Sequence, residues 1–183
     1  MAVKTFSVGE VLTASDTNTY LANSGLVYIS STTIGTAVST VTVTGLTGYD
    51  SYQIVVNNST LSTAANVSLT LRLGSTNSTT GYYGVFYYSD WNAGTSGQAG
   101  DNNAATFTYA TGATNTSGFN TIIDLVNMGK ANPTTIRSLH VRNIVGHYTG
   151  YHSVATAYDG FVISSGGATM TGGTITVYGY RMA

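Results

Sequence analysis

From about residue 25 onward, apolar residues and residues with hydroxyl side chains alternate along the chain with a period of two. The clearest example is Val-Ser-Leu-Thr-Leu-Arg-Leu at positions 67–73. Side chains of a β-strand point alternately to its two faces, so this pattern is typical of a strand that is buried on one face. Similar segments predict further strands at 26–31, 38–44, 49–57, 82–88, 119–126, 136–144, 160–163 and 174–180.

The segments between these strands are rich in glycine, asparagine, serine and threonine, as at 74–81 and 92–103. Such compositions are typical of turns and loops, and no helical pattern separates the strands. Many short strands without intervening helices predict an all-β fold. We therefore expect an antiparallel β-sandwich, jelly-roll-like in its connections.

The segment that predicts a helix rather than a strand lies near the N-terminus, at 9–23. Thr13 is a suitable N-cap, and Asn23 or Gly25 is a suitable end. A helix of two or three turns is marginal alone in water, so it needs a partner surface in its own domain, another subunit or another protein. We expect an N-terminal attachment arm at 1–25, followed by a sandwich domain at 26–183.

Charged residues make up only 7% of the 183 residues, and the net charge is −1. This composition excludes a basic nucleic-acid-binding surface and a polybasic membrane anchor. No apolar run approaches the length of a membrane-spanning helix, so membrane insertion is not expected. Serine, threonine and asparagine together supply roughly a third of the chain, which indicates a surface of hydroxyls and amides.

The low charge also bears on assembly. Exposed sheet edges are usually protected by lysine, proline or inward-pointing charges. Here the lysines are Lys4 and Lys130 and the single proline is Pro133. We therefore expect copies of the chain to cover one another's edges and apolar faces in a closed ring. Composition does not fix the number of copies, and of the closed rings we predict a homotrimer.

No catalytic, cofactor-binding or metal-binding residues are predicted. The chain has no cysteine, and no phosphate-binding loop or nucleophile elbow occurs. Asp50, Asp90, Asp101 and Asp159 lie in turn-like sequences, although a fold can still bring two carboxylates together as in a glycosidase. Strand arginines such as Arg137 are expected to pair with Asp124 or with a neighbouring subunit.

The histidines give a weak signal. His147 and His152 flank Tyr-Thr-Gly-Tyr near a predicted hairpin, and this spacing is only a weak indication of a metal site. Alternatively, one histidine from each copy of the chain binds a metal that the copies share on a symmetry axis. His140 alternates with Leu139 and Val141, so it is predicted to lie on the surface of its strand.

Tyrosine is abundant, and the run at 81–91 is Gly-Tyr-Tyr-Gly-Val-Phe-Tyr-Tyr-Ser-Asp-Trp. A strand in a two-layer domain cannot bury both faces of this run, so some of its rings must point outward. One interpretation is that these rings serve the core and a subunit interface. The other is a surface-contact patch for a host surface glycan, formed by Tyr87, Tyr88, Trp91 and Asn92.

The segment Phe-Ser-Val-Gly-Glu-Val-Leu-Thr-Ala-Ser-Asp-Thr-Asn-Thr-Tyr-Leu at 6–21 resembles a segment near the start of bacteriophage tail-fibre and related virion proteins. The strand at 49–54 and the C-terminal segment 173–181 also resemble phage appendage domains. One departure is Asp16-Thr17, where the family usually has an acidic residue followed by leucine.

This resemblance implies a non-enzymatic, trimeric virion protein, either of the tail-fibre or receptor-binding type or of the capsid-decoration type. Its partners are then other virion proteins of the capsid or tail, and its location is the virion, assembled in the host cytoplasm because no signal peptide is expected. The arm residues predicted to dock on the particle are Val8, Val11, Leu12, Tyr20 and Leu21. The alternative function is a lectin-like module or a polysaccharide depolymerase. A bacterial surface or pilus-like subunit is disfavoured by the lack of a signal peptide.

Overall fold

The computed structural model describes residues 7–16, 25–114, 116, 118–141 and 144–180. In these residues a three-residue helix, α1 (Ala14–Asp16), precedes fifteen β-strands. The strands are β1 (Leu26–Thr33), β2 (Thr40–Thr44), β3 (Ser51–Leu61), β4 (Ala65–Asn66), β5 (Ser68–Leu73), β6 (Thr76–Asn77), β7 (Tyr82–Asp90), β8 (Thr95–Ala104), β9 (Ala113–Thr114), β10 (Phe119–Val126), β11 (Thr134–Val141), β12 (Ile144–His152), β13 (Gly160–Ser164), β14 (Met170–Thr171) and β15 (Thr174–Tyr180).

The strands form two main antiparallel sheets. The large sheet has nine strands in the order β1-β15-β3-β10-β11-β12-β7-β8, with β14 paired to β3. The small sheet has the order β2-β13-β5-β6, and β4 pairs with β9 in a separate ribbon. The two main sheets pack as a sandwich, so the predicted all-β antiparallel sandwich is confirmed.

The hydrophobic core lies between these two sheets. Tyr52, Ile54 and Ile123 of the large sheet and Leu71 and Phe161 of the small sheet are fully buried in it. The alternation seen in the sequence explains this arrangement, since every second residue of β5 and β15 points into the core. The central strand β13 lies between β2 and β5, and its residues from Gly160 to Ile163 are all buried.

Two expectations about the loops are wrong. The hairpin expected near His147 and His152 is instead the continuous strand β12. The tract 92–103 was expected to be a loop, but most of it belongs to β8, which pairs with β7 from Asp90 to Tyr82. Strand β8 lies at the edge of the large sheet. An edge strand needs little apolar side-chain packing, because one neighbour holds it through backbone hydrogen bonds, and its glycine-rich and polar composition therefore resembles that of a loop.

Candidate binding surfaces

The outer face of the large sheet carries a group of exposed apolar side chains. In the antiparallel register Val55 of β3 lies opposite Ile122 of β10, and Ile122 lies opposite Leu139 of β11. Val141 follows on the same face of β11. We call Val55, Ile122, Leu139 and Val141 the apolar band. Its exposed fractions reach 45% at Ile122 and 56% at both Leu139 and Val141.

Two shallow grooves run along this band. One groove, of about 350 Å³, is lined by all four residues of the apolar band together with Asn57 and Asn120. The other, of about 400 Å³, lies between Leu139, His147 and Arg137. The grooves are open and mostly apolar, and this shape fits the contact surface of another macromolecule better than it fits an enclosed small-molecule site.

Aromatic rings continue the outer face toward the β8 edge. His147 lies opposite Leu139 and also opposite Tyr87, and the rings of Tyr87 and His147 are 5.6 Å apart. Tyr83 of β7 stacks on Tyr151 of β12, with their ring centroids 5.2 Å apart. The sequence did not reveal these two pairs, because a pair across two strands depends on the strand register, which periodicity does not fix.

A polar network interrupts the apolar residues on the same face. Arg137 donates from Nε to Asp124 at 2.8 Å, and Gln53 donates from Nε2 to the same carboxylate at 3.0 Å. The Tyr180 hydroxyl donates a third hydrogen bond to Asp124. Burial acts to raise the pKa of Asp124, but the three hydrogen bonds and the charge of Arg137 outweigh burial and lower it. The predicted pairing of Asp124 with Arg137 is confirmed.

The structure separates the residues of the predicted surface-contact patch. Tyr87 points to the outer face of the sheet and is 48% exposed, whereas Tyr88 points the opposite way and stacks on Phe86 at 5.1 Å. Trp91 and Asn92 lie in the exposed turn between β7 and β8. Successive residues of a strand face opposite sides, so Tyr87 and Tyr88 do not contribute to one surface.

The described part of the N-terminal arm is highly exposed. Val8, Val11 and Leu12 project into solvent, while Tyr20 and Leu21 lie outside the described residues. Thr13 caps α1 as predicted, because its hydroxyl accepts a hydrogen bond from the Asp16 amide at 3.1 Å. The Asp16 carboxylate in turn accepts from the Thr13 amide at 3.1 Å, which completes a reciprocal cap.

The prediction that His140 lies on the surface is wrong. The histidine faces the core, is 2% exposed and packs 5.1 Å from Phe86. Neither ring nitrogen has a hydrogen-bond partner, and desolvation lowers the pKa of His140 to about 4. The strand register explains the error, because His140 shares the inward face of β11 with Ile136.

The other two histidines do not share a surface. His147 is exposed on the outer face, whereas His152 is buried, with its Nε2 2.9 Å from the Ser78 hydroxyl and 3.0 Å from the Thr80 carbonyl oxygen. These residues are five positions apart on one strand, so they point to opposite sides of it. Within the described part of the chain, no group of three or more metal-ligating side chains occurs.

The aspartates have mainly structural partners. Asp90, the last residue of β7, accepts hydrogen bonds from the amides of the following turn, in keeping with its predicted turn role. Asp159 instead accepts one from the Gly74 amide, which is distant in sequence. The prediction is wrong for Asp101, which belongs to strand β8. Its carboxylate accepts from the Tyr148 hydroxyl at 2.8 Å and from the Thr108 amide at 2.9 Å. These contacts hold the edge strand against the sandwich.

Comparisons with known proteins identify no relative. No family model matches the chain, no curated protein matches it in sequence, and no solved structure matches it in fold. Among the helical residues that the structure describes, none forms a helix long and apolar enough to cross a membrane.

Proposed function

We propose that the protein is a non-enzymatic structural component of a bacteriophage particle, a homotrimeric β-sandwich knob held on the particle by its N-terminal arm. The observation that carries the proposal is the exposed apolar band on a chain with 7% charged residues. An apolar surface of this kind on a soluble domain is typical of a surface that is covered in an assembly. The resemblance of 6–21 to phage appendage proteins supports the same function.

The arm supplies a second argument. Val8 is fully exposed, Val11 is 78% exposed, and Leu12 is half-exposed. Their burial in a groove of a partner protein would remove apolar area from water, at roughly 25 cal/mol per Å². Tyr20 and Leu21 extend the same proposed contact. In this proposal the partner is a capsid or tail protein.

The docking role of the arm is tested by removing all residues before Gly25. We expect the truncated protein to keep its circular dichroism spectrum and its trimeric mass but to be absent from purified particles. The point variant Val11→Asp should reduce incorporation, and Val154→Asp, at an exposed loop valine, is the matched control. Normal incorporation of the truncated protein would contradict docking through the arm.

The position on the particle is tested separately. Particles that carry a labelled copy of the protein are imaged by electron microscopy, and label on the head favours a capsid-decoration protein. Label on the tail favours a tail-fibre or receptor-binding protein. Absence of label from intact particles, with the protein expressed and folded, would contradict the virion proposal.

The second candidate function is glycan binding, and the stacked pair Tyr83–Tyr151 favours it. Tyr151 and Trp91 are both exposed, and sugar rings stack on such aromatic surfaces through their apolar faces. Binding on a glycan array that disappears in Tyr151→Ala or Trp91→Ala would support a lectin-like module. Tyr28→Ala, at an exposed tyrosine of β1, is the control. Cleavage of a polysaccharide by the wild-type protein would instead support a depolymerase.

A further inference from the structure

Strand β11 presents its apolar residues in an unusual way. Its inward face carries Ile136 but also Ser138 and His140, while Leu139 and Val141 are exposed on the outer face of the sheet. At the last four positions an isolated sandwich would gain by the opposite arrangement, since burial favours leucine and valine over serine and histidine. The arrangement is reasonable if the outer face is itself covered by another molecule.

The charge on this face indicates what kind of molecule covers it. Asp124 and Arg137 lie beside the apolar band and form an ion pair, so their charges offset each other. Neither an acidic nor a basic partner would gain from this neutral surface. A second copy of this chain is a suitable occupant, because its own surface carries few ions.

The size of the face supports the same occupant. Eight strands lie side by side in the large sheet, which gives a width of roughly 34 Å at about 4.8 Å between neighbours. The strands on this path have seven to eleven residues, and even the shortest of them, β15, spans roughly 24 Å. The resulting area of the face is about 800 Å², so each copy would bury in the whole trimer about as much surface as one partner buries in a typical stable interface.

We propose that the outer face of the large sheet is the contact surface between copies of the chain, with Leu139 and Ile122 near the symmetry axis. Copies of the apolar band then pack against one another and bury the valine, leucine and isoleucine side chains. Arg137, held at Nε by Asp124, lies at the border of this apolar contact. This inference rests on the self-association in the proposed function and adds the surface that forms it.

The first test places a charge in the band. Leu139→Asp and Ile122→Asp should each shift the protein from trimer to monomer in light scattering after size-exclusion chromatography, with association weakened at least about tenfold. The control Val154→Asp should stay trimeric, because Val154 lies outside the large sheet. Circular dichroism checks that the monomeric variants are folded.

A second test does not require the folded protein to tolerate a new charge in the apolar band. The chain has no cysteine, so Leu139→Cys introduces a single thiol per copy. Two thiols near a symmetry axis form a disulfide, or react with a short bismaleimide crosslinker, only if the copies bring them together. We expect covalent dimers in Leu139→Cys at low micromolar concentration and few or none in Val154→Cys.

The outcomes separate the two proposals. A monomeric wild-type protein would contradict both the trimer and the interface. A trimeric wild-type protein that stays trimeric in Leu139→Asp, and that gives no more crosslinking in Leu139→Cys than in Val154→Cys, would overturn this interface and leave the trimer standing. If Leu139→Asp does not fold, the crosslinking yield of Leu139→Cys decides.

Discussion

The ring of His140 packs directly on the backbone of Gly112, where a Cβ atom would overlap the imidazole. Gly112 has a φ of +77°, a conformation that glycine adopts readily. The chain thus brings a glycine loop over a histidine whose nitrogens have no hydrogen-bond partner. The fold is therefore compatible with the neutral form of His140, and protonation places an unpaired charge in the core.

The first prediction is that the protein loses stability in mild acid. Desolvation lowers the pKa of His140 to about 4 from the ordinary histidine value of 6.5, so the unfolded chain binds more protons between these values. The free energy of unfolding should therefore fall as the pH decreases through this range, by about 2 kcal/mol between pH 7 and pH 5. Urea unfolding at fixed protein concentration, at several pH values, measures this slope.

The variant His140→Leu should flatten that slope. It should not remove the slope entirely, because desolvation also lowers the pKa of His152 and outweighs its hydrogen bonds to backbone groups. His147→Gln is the matched control, since His147 is exposed on the neighbouring strand. An unchanged slope in His140→Leu would show that His140 is not the group responsible.

The second prediction concerns the carboxylate of Asp124. Asp124→Asn keeps the shape of the side chain but removes the charge that accepts from Gln53, Tyr180 and Arg137. We expect a loss of about 1–3 kcal/mol at pH 7, the usual cost for hydrogen bonds to a charged group. Asp50→Asn is the control, because the ion pair of Asp50 with Lys130 is exposed and should contribute less than about 1 kcal/mol.

The same carboxylate should also affect stability in stronger acid. The pKa of Asp124 is lowered in the folded state, so its contribution is present above the unfolded value of about 3.9 and is lost as the pH falls below it. Asp124→Asn should therefore lose less stability than the wild-type protein when both are taken below pH 4. Parallel losses in the two proteins would contradict this role.

The sequence predicted the strands better than it predicted their inward faces. Regular alternation located β5, β10 and β15 because most of their buried residues are leucine, isoleucine, valine and phenylalanine. In β11 the same reasoning placed His140 outside. The pairing register with β10 determines which face His140 takes, since it aligns His140 with the buried Thr121. A register depends on neighbouring strands, so no single segment contains that information.

The candidate surfaces were also predicted only in part from the sequence. Exposure of Tyr87 and Trp91 agrees with the expectation that some rings of their run point outward. The apolar band was not found, because Val55, Ile122 and Leu139 are far apart in sequence and meet only through strand pairing. The low content of charged residues predicted surfaces that are covered in an assembly, but it did not predict where on the fold they lie.

The third prediction concerns the hydrogen bond between Tyr148 and Asp101. Tyr148→Phe removes the hydroxyl that donates to Asp101 and leaves the Thr108 amide as a donor to that carboxylate. We expect a loss of about 1–3 kcal/mol in urea unfolding, because one donor to a charged acceptor is lost. Tyr87→Phe, at an exposed tyrosine, is the control and should change stability by less than about 0.5 kcal/mol.

Hydrogen exchange provides a local measurement for the same variant. Asp101 belongs to β8, which lies at the edge of the large sheet. Amides of β8 should exchange faster in Tyr148→Phe, while those of β13, in the middle of the small sheet, should change only as much as global stability does. Equal changes in both strands would show that the hydrogen bond stabilises the domain as a whole rather than its edge.

The fourth prediction tests the close packing beneath the same tyrosine. The Tyr148 ring lies directly over Gly84, and a Cβ atom built on Gly84 would overlap the phenol. Gly84→Ala therefore has to displace a fully buried ring, and overpacking of this kind costs about 1–3 kcal/mol. Val85→Ala, at the next and exposed position of β7, should cost less than about 1 kcal/mol. Thermal unfolding of both variants at one protein concentration gives the comparison, and equal stability of Gly84→Ala and the wild-type protein would show that the ring moves aside freely.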